Sequence, residues 1–596
     1  MFEKIIAYSL KNKIMVLLMI VALIFAGVIS LRSIAIDAVP DITNNQVQVV
    51  TSSPTLAAEE VEKFITFPIE MSVANIPDVT EVRSISRYGL SVVTIVFEDN
   101  VDIMRARQFV AEQLIIARDE IPAEFGTPQM MPITTGLGEI YQYVLQVQPG
   151  YEKQFDIMEI RTIQDWIVKR QLAGLQGIIE VSSFGGKVKQ YEVGVNPASL
   201  MAFNVTINEV EEALKINNNN SGGSYIEKGA NAFYIRTEGR AENFTDIENI
   251  IIKNEGTPVR IKDIATVGLG SPKRYGAMTM DGKGEVVGGI TLMLKGANSS
   301  DAVEKVQERM ALIQKSLPKG VEIYPYLDRS VLVGKTINTV LKNLIEGGLI
   351  VIFVLVLFLG NFRAGLIVSS VIPLAMLFAL ILMNLLGVSA NLMSLGAIDF
   401  GIVVDGAVII VEGVLHVLHV KHKGKTLSAQ QMNNEIKEAS SQIYNTAAFG
   451  VLIILVVFVP IFALEGIEGK TFLPMAQTVS FAILGSLLLS VTYVPVASAL
   501  FLNKTISDKE TFSDKIVNAI QKKYVPSLKL ALNHPKKVLS SAVIGLLLSV
   551  LVFSFMGSEF IPTLEEGDLA MQMAVEPGSS LEKSVATSTR AEKILK

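Results

Sequence analysis

Residues 391–412 constrain this chain more than any other stretch. Asn391-Leu-Met-Ser-Leu-Gly-Ala-Ile-Asp399-Phe-Gly-Ile-Val-Val-Asp405-Gly-Ala-Val-Ile-Ile-Val-Glu412 has the length and apolar character of a membrane-spanning helix, yet it carries three acids. An acid at the centre of such a helix costs about 2.5–3.5 kcal/mol on insertion scales, so it persists only where something needs it. On a helix Asp405 and Glu412 fall within about 20° of each other and about 10 Å apart along the axis. A continuous helix would set Asp399 about 120° round from Asp405. Acids strung along one span read as a proton path through a bundle. The structural alternative is a set of buried acids neutralised by Lys or Arg on a neighbouring helix. Gly396, Gly401 and Gly406 keep one side small enough for another helix to approach closely.

The fold class follows from alternation. Of 596 residues, 50% are hydrophobic and 18% charged, with mean hydropathy +0.43. That is too apolar for a soluble enzyme and too charged for a bare bundle, so membrane and aqueous parts must alternate. A net charge of −6 gives no basis for nucleic-acid binding. With no cysteine there is neither a disulfide nor a thiolate metal site, and 21 Met against four His leave Met as the soft-metal ligand.

Residues 14–31 run without a charge after Lys4, Lys11 and Lys13. They read as an uncleaved signal anchor with a cytoplasmic N-terminus, so residues 1–32 are a cytoplasmic helix and the first span. Residues 33–335 then lie outside the membrane. Within them 47–51 and 91–97 read as strands and 56–69 and 101–118 as helices, a split-βαβ sandwich. A second such unit begins with a strand at 141–147 and a helix at 157–173, and resumes with a strand at 286–295 and a helix at 301–317. The intervening stretch, about 181–270, is polar and turn-rich and reads as an insertion for protein contacts. Spans at 340–359, 364–386, 392–411, 446–464 and 475–502 fill 336–502. A Lys-rich cytoplasmic connection covers 503–537, a seventh span 538–557, and a second outer domain opens at 558–596. The expected class is an integral membrane α-helical bundle with α+β outer domains.

A repeat supports this order. Leu10-Lys-Asn-Lys13, an apolar span and Ala38-Val-Pro40-Asp-Ile recur as Leu532-Asn-His-Pro-Lys-Lys537, an apolar span and Phe560-Ile-Pro562-Thr-Leu. Parallel duplication of a helix set is a transporter habit. Because the second copy has barely begun at Lys596, the expectation is a piece of a longer chain with about twelve spans.

With these features in place, the chain resembles the heavy-metal-efflux permeases of the resistance–nodulation–division (RND) superfamily, the CzcA/CusA family, as their N-terminal part. The markers are the acid-bearing stretch from Asp399 to Glu412, Leu327-Asp-Arg-Ser330, Thr135-Gly-Leu-Gly-Glu-Ile140, Gly557-Ser-Glu-Phe-Ile-Pro562 and Glu566-Gly-Asp568. The resemblance implies an RND permease fold with about seven of twelve spans present. It also implies proton-driven efflux of heavy-metal cations by a secondary transporter, not an enzyme, with no cofactor beyond the transported cation and protons. The protein would be a homotrimer in the inner membrane of a Gram-negative bacterium, joined to a periplasmic adaptor and an outer-membrane channel, with the 181–270 insertion in the channel-docking surface. Asp399, Asp405 and Glu412 would form the proton relay, and the acids at 399 and 412 match exporters of divalent zinc, cobalt, cadmium or nickel. The monovalent copper/silver branch usually lacks the first of these. Gly413 departs from the family, which often has Asn there.

Metal-path candidates are Glu139, in a Gly-rich turn, with Glu566, Asp568 and Met573; the acids read equally as solvated carboxylates. Met571 and Met573 alternate on an expected strand and so share a face, which suits a soft cation or simple core packing. His416, His419 and His422, with Lys421 and Lys423, read as an interfacial basic collar in preference to a metal site. The alternatives left open are monovalent copper or silver export, an RND relative that moves lipid or protein, and a half-transporter scaffold. An intramembrane aspartyl protease needs acids on two facing helices, and these lie on one.

Overall fold

The computed structural model describes residues 2–34, 37, 39–254, 256–396, 398–506, 512–557 and 569–596. The chain divides into two compact units, one of residues 1–140, 293–304 and 328–570, the other of 141–292, 305–327 and 571–596.

In the first unit, helix α1 (Phe2–Lys11) meets α2 (Lys13–Ser33) at Asn12. Outward-facing Leu18, Val21 and Phe25 of α2 are exposed while Val16 and Ile20 are buried. A helix apolar all round suits lipid on one side and protein on the other. Beyond it lies a sheet of β1 (Gln46–Ser52), β2 (Val79–Arg87) and β3 (Leu90–Phe97). Helix α3 (Ile103–Glu120) and the short β4 (Gln129–Met130) complete the module in the order β2-β3-β1-β4. Val49 of β1 stands opposite Val93 of β3. Their buried face, with Val47 and Ile95, packs on Ala106, Val110, Leu114 and Ala117 of α3, which recur at helical spacing. Asp102 caps α3 by accepting from the Arg105 N–H at 3.0 Å. The strands at 47–51 and 91–97 are therefore present, as are both helices, the first running from Ala58–Val61 through a π-turn, Glu62–Thr66, to Phe67–Val73. The reading missed β2, a charged and largely exposed edge strand without the alternation that marks a half-buried one.

The second unit is built on β5 (Glu139–Val147), β6 (Ile178–Phe184), β7 (Gln190–Val195), β8 (Ser221–Lys228), β9 (Asn231–Thr237), β10 (Ala265–Gly270), β11 (Met278–Thr279) and β12 (Glu285–Met293). Helix α4 (Ser299–Ser316) and β13 (Val321–Asp328) follow. Its main sheet runs β11-β12-β5-β13, with β6 also paired to β12. The expected helix at 157–173 forms with a π-turn, Gln164–Val168, at its centre. The 181–270 insertion contains the β7–β10 pair and a β8–β9 hairpin. Every residue of both hairpin strands is exposed, Tyr225, Ile226, Phe233 and Tyr234 among them.

The membrane part of the first unit comprises α5 (Arg329–Leu359), α6 (Phe362–Leu385), α7 (Phe400–His422), α8 (Ala429–Phe458) and α9 (Gly466–Phe501). An amphipathic α10 (Phe512–Asn533) and the exposed α11 (Pro535–Ser554) come next, and α12 (Leu581–Leu595) lies in the second unit. Six helices among the described residues are long and apolar enough to cross a membrane, and a pair bent by 42° within 429–463 makes up to seven, the number expected. Small residues let the helices approach: Gly27 of α2 faces Leu377, Gly365 of α6 faces Val356, and Gly485 of α9 faces Phe378. Residues 569–576 form no strand, so the expected strand at Met571 and Met573 is corrected to irregular chain. Alternation alone does not make a strand; a ladder partner must satisfy its backbone groups. In the second unit α12 packs on β11, and its Glu592 accepts from the Gly282 N–H at 2.7 Å.

Candidate proton relay on an acid-bearing span

The 391–412 stretch is not one straight helix. A short helix, Leu392–Gly396, is closed by reciprocal bonds: the Ser394 N–H to Asn391 Oδ1 at 2.8 Å and the Asn391 N–H to Ser394 Oγ at 2.9 Å. The chain then restarts at Phe400 with Asp399 as N-cap, φ −87° and ψ 113°, its Oδ1 accepting from the Gly401 N–H at 2.8 Å. The expectation that Asp399 lies on the same continuous helix as Asp405 is thereby corrected. Aspartate is among the best N-caps because its carboxylate satisfies an orphan N–H and sits in the positive end of the helix dipole. Asp399 therefore marks where the acid-bearing helix begins.

From there α7 divides cleanly. Val403, Val404, Ala407, Ile410, Val411, Val414 and Leu418 are buried. Gly401, Asp405, Glu412, His416 and His419 are exposed, and at 100° per residue all five fall within about 40° of Asp405. Asp405 and Glu412 thus share one face, as their spacing predicts, and it is the face that no described part of this chain covers.

The opposite face is held firmly. Ser486 of α9 donates to the Val403 carbonyl, and Gly406 lies against Ser490 and Val451. A Cβ on Gly413, at this departure from the family pattern, would fall 2.0 Å from Ile443 Cδ1, the free end of a side chain of α8 that would have to turn aside. Among the described residues the bundle has the ion pairs Lys342–Glu346, Lys421–Glu435, Lys421–Glu438 and Lys437–Glu3, and none of these involves Asp399, Asp405 or Glu412.

The histidine collar is partly tied to α8. His422 Nε2 stands 3.1 Å from Glu435 Oε1, and Lys421 Nζ lies 3.3 Å from Glu435 and 3.4 Å from Glu438. Among the described residues no group of three or more His, Asp or Glu side chains is arranged to hold a metal ion. Glu139 is exposed at the start of β5, Met573 is exposed in irregular chain, and Glu566 and Asp568 lie outside the described residues.

Sequence reading passed over two charged groups, because each is defined by partners distant in the chain. Asp37, just past the first span, is half-buried; burial raises its carboxyl pKa, Ser299 and the Arg329 guanidinium partly offset the rise, and Asp41 adds to it. Its Oδ1 has no hydrogen-bond partner among the described residues. Lys470, near the start of α9, pairs with Asp99 at 2.6 Å and donates to the Thr43 carbonyl at 3.2 Å, tying the helix to the β1–β3 module. A lone lysine within the 465–470 turn was the available signal.

Comparison with known proteins agrees with this architecture. The model of the AcrB/AcrD/AcrF family matches residues 5–596. The cation efflux system protein CzcA of Alcaligenes sp. is 43% identical over the whole chain and 56% of its own length. The cobalt-zinc-cadmium resistance protein CzcA of Cupriavidus metallidurans is likewise 43% identical, with the same coverage. An X-ray crystal structure of a heavy metal efflux pump superposes with a TM-score of 0.85 at 32% identity, covering 98% of this chain and 56% of that one. The chain thus spans about 56% of the length of these relatives. With a family match along nearly its whole length, and with the helical bundle and β-containing domains described above, this chain belongs to the AcrB/AcrD/AcrF family, in its heavy-metal-efflux RND branch.

Proposed function

We propose that the complete protein exports heavy-metal cations of the divalent zinc, cobalt, cadmium or nickel kind, driven by protons that pass along Asp399, Asp405 and Glu412. One observation carries this reading: Asp405 and Glu412 share a single face of α7 that no described residue covers, on a helix whose other face is firmly packed. An ionised carboxylate in the hydrocarbon costs about 2.5–3.5 kcal/mol, and protonation removes that cost. A proton crossing the membrane brings about 2.3 kcal/mol per 100 mV, enough to bias a bundle between two packings that treat a charged and a neutral Asp405 differently. Asp399, at the helix start, stands where a proton would be taken up or released. The similarity to cation efflux and cobalt-zinc-cadmium resistance proteins supports a cation cargo, and the acids at 399 and 412 support a divalent one. Glu139, Glu566, Asp568 and Met573 would line the path of that cargo.

The protein would act in the inner membrane of a Gram-negative bacterium with its N-terminus in the cytoplasm, as a homotrimer with a periplasmic adaptor and an outer-membrane channel. The β8–β9 hairpin supports such assembly. Its exposed cross-strand pairs, Tyr225 with Tyr234 on one face and Ile226 with Phe233 on the other, leave apolar side chains on both faces that invite cover by another chain.

The test is Asp405→Asn in the complete protein, reconstituted in vesicles with an imposed pH gradient and offered zinc, cobalt, nickel and silver separately. Export of a divalent ion that stops in the variant supports the reading. Undiminished gradient-driven export in the variant overturns the relay, and transport of silver alone moves the protein to the monovalent branch.

A further inference from the structure

Where α6 begins and α9 ends, a groove of about 490 Å³ opens between the two helices. Arg363 stands at its mouth, two residues past the N-cap Asn361, and its guanidinium donates to the Phe501 carbonyl at 3.3 Å. That bond draws the cation across the last turn of α9. The walls are Leu366, Leu500 and Phe501, which remain 46%, 42% and 54% exposed. Two turns further in, about 10 Å along the helix, Ser370 Oγ and Tyr493 Oη share a hydrogen bond of 2.8 Å at the inner end.

The layering matters. A guanidinium sits at the helix ends where spans meet water, apolar walls run inward from it, and a hydroxyl pair lies deeper. An arginine that served only to anchor α6 at the interface would need no such groove. A soluble anion would gain from the guanidinium and the first turn of α6 but would gain nothing from the leucine and phenylalanine walls. An anionic phospholipid matches the cation and the walls together, with its phosphate on a planar donor suited to oxyanions and an acyl chain running along Leu366, Leu500 and Phe501 past the hydroxyl pair, whose Ser370 O–H is already donated to the Ile367 carbonyl at 2.6 Å. We propose that this groove binds one anionic phospholipid per chain, with Arg363 holding the phosphate.

The test uses the complete protein purified in neutral detergent, titrated with phosphatidylglycerol and separately with zwitterionic phosphatidylethanolamine, with bound lipid counted by native mass spectrometry. One tightly held phosphatidylglycerol per chain is expected, preferred over phosphatidylethanolamine. Arg363→Gln should weaken it by about tenfold, the scale of one charge-assisted hydrogen bond, and Arg363→Lys should recover part of the loss. Glycerol phosphate, which has the anion without the chains, should not displace the lipid. Equal binding of both lipids, full displacement by glycerol phosphate, or unchanged affinity in Arg363→Gln overturns the assignment. If Arg363→Gln fails to fold, Leu366→Trp fills the groove while keeping the charge, and unchanged phosphatidylglycerol affinity in that variant overturns it equally.

Discussion

Gly485 offers the most direct test of how the bundle holds the acid-bearing helix. A Cβ at this position would lie 2.6 Å from Phe378 Cδ1, 2.9 Å from Cγ and 3.0 Å from Cβ. The last of these is fixed to the backbone of α6, so a rotamer change that clears Cδ1 and Cγ still leaves the 3.0 Å contact to Cβ. To restore ordinary separations near 3.5 Å, α9 must back away from α6 by roughly 0.5 Å, and a gap of that size forfeits about a quarter of each neighbouring van der Waals well. Overpacking of this kind costs about 1–3 kcal/mol. The disturbance should not stay local, because the next residue, Ser486, bonds the Val403 carbonyl of α7. Gly485→Ala is therefore expected to lower the unfolding free energy of the complete protein by about 1–3 kcal/mol in a mixed-micelle titration with a denaturing detergent. Combined with Phe378→Ala, which removes Cγ and the ring, it should cost at least about 1 kcal/mol less than the two single changes added together. If Gly485→Ala unfolds with the wild type, or if the two changes simply add, close approach at Gly485 does not set the α6–α9 spacing.

Three further outcomes can be measured. Asp37 has its folded-state pKa raised above its ordinary value of 3.8, so the native state holds that proton more tightly than the unfolded chain. The associated stability is complete below about pH 3.8 and is lost as pH rises through the folded-state value; thermal unfolding against pH should show this slope in the wild type and lose it in Asp37→Asn. Lys470→Ala removes the Asp99 ion pair and the bond to the Thr43 carbonyl. Because Asp99 is 47% exposed, the global cost should be below about 1 kcal/mol, while amide exchange near residues 43–45 and 98–102 should rise. Thr206→Ala breaks the reciprocal cap of helix Ile207–Ile216, in which Thr206 Oγ1 accepts from the Glu209 N–H at 3.3 Å and Glu209 accepts from the Thr206 N–H at 2.7 Å. A loss of about 1 kcal/mol is expected, with proteolysis first attacking the insertion.

Much of this molecule is legible from local pattern. Long apolar runs mark spans whatever their neighbours, because the bilayer forces each backbone to satisfy itself within the helix. Period-two and helical spacing likewise place β1, β3, β5 and α3, since those patterns record which side of each element meets the core. The placement of Asp405 and Glu412 on one face is arithmetic on a helix and needs no tertiary information.

Other features are properties of pairs far apart in the chain. The break before Phe400 arises because Asp399 caps a new helix, an outcome a periodic apolar run does not reveal. β2 exists because β3 offers it a ladder, despite a charged and exposed sequence. The carboxyl of Asp37 is tuned by Ser299 and Arg329, far from it in the chain, and Arg363 reaches across to a carbonyl of α9. Above all, sequence determined that the acids of α7 share a face, but only the packing of α8 and α9 against the other side decided that theirs is the face left uncovered. The reason is physical: periodicity fixes angles around one helix axis, whereas the direction that face points is set by which glycines and serines let neighbouring helices come close.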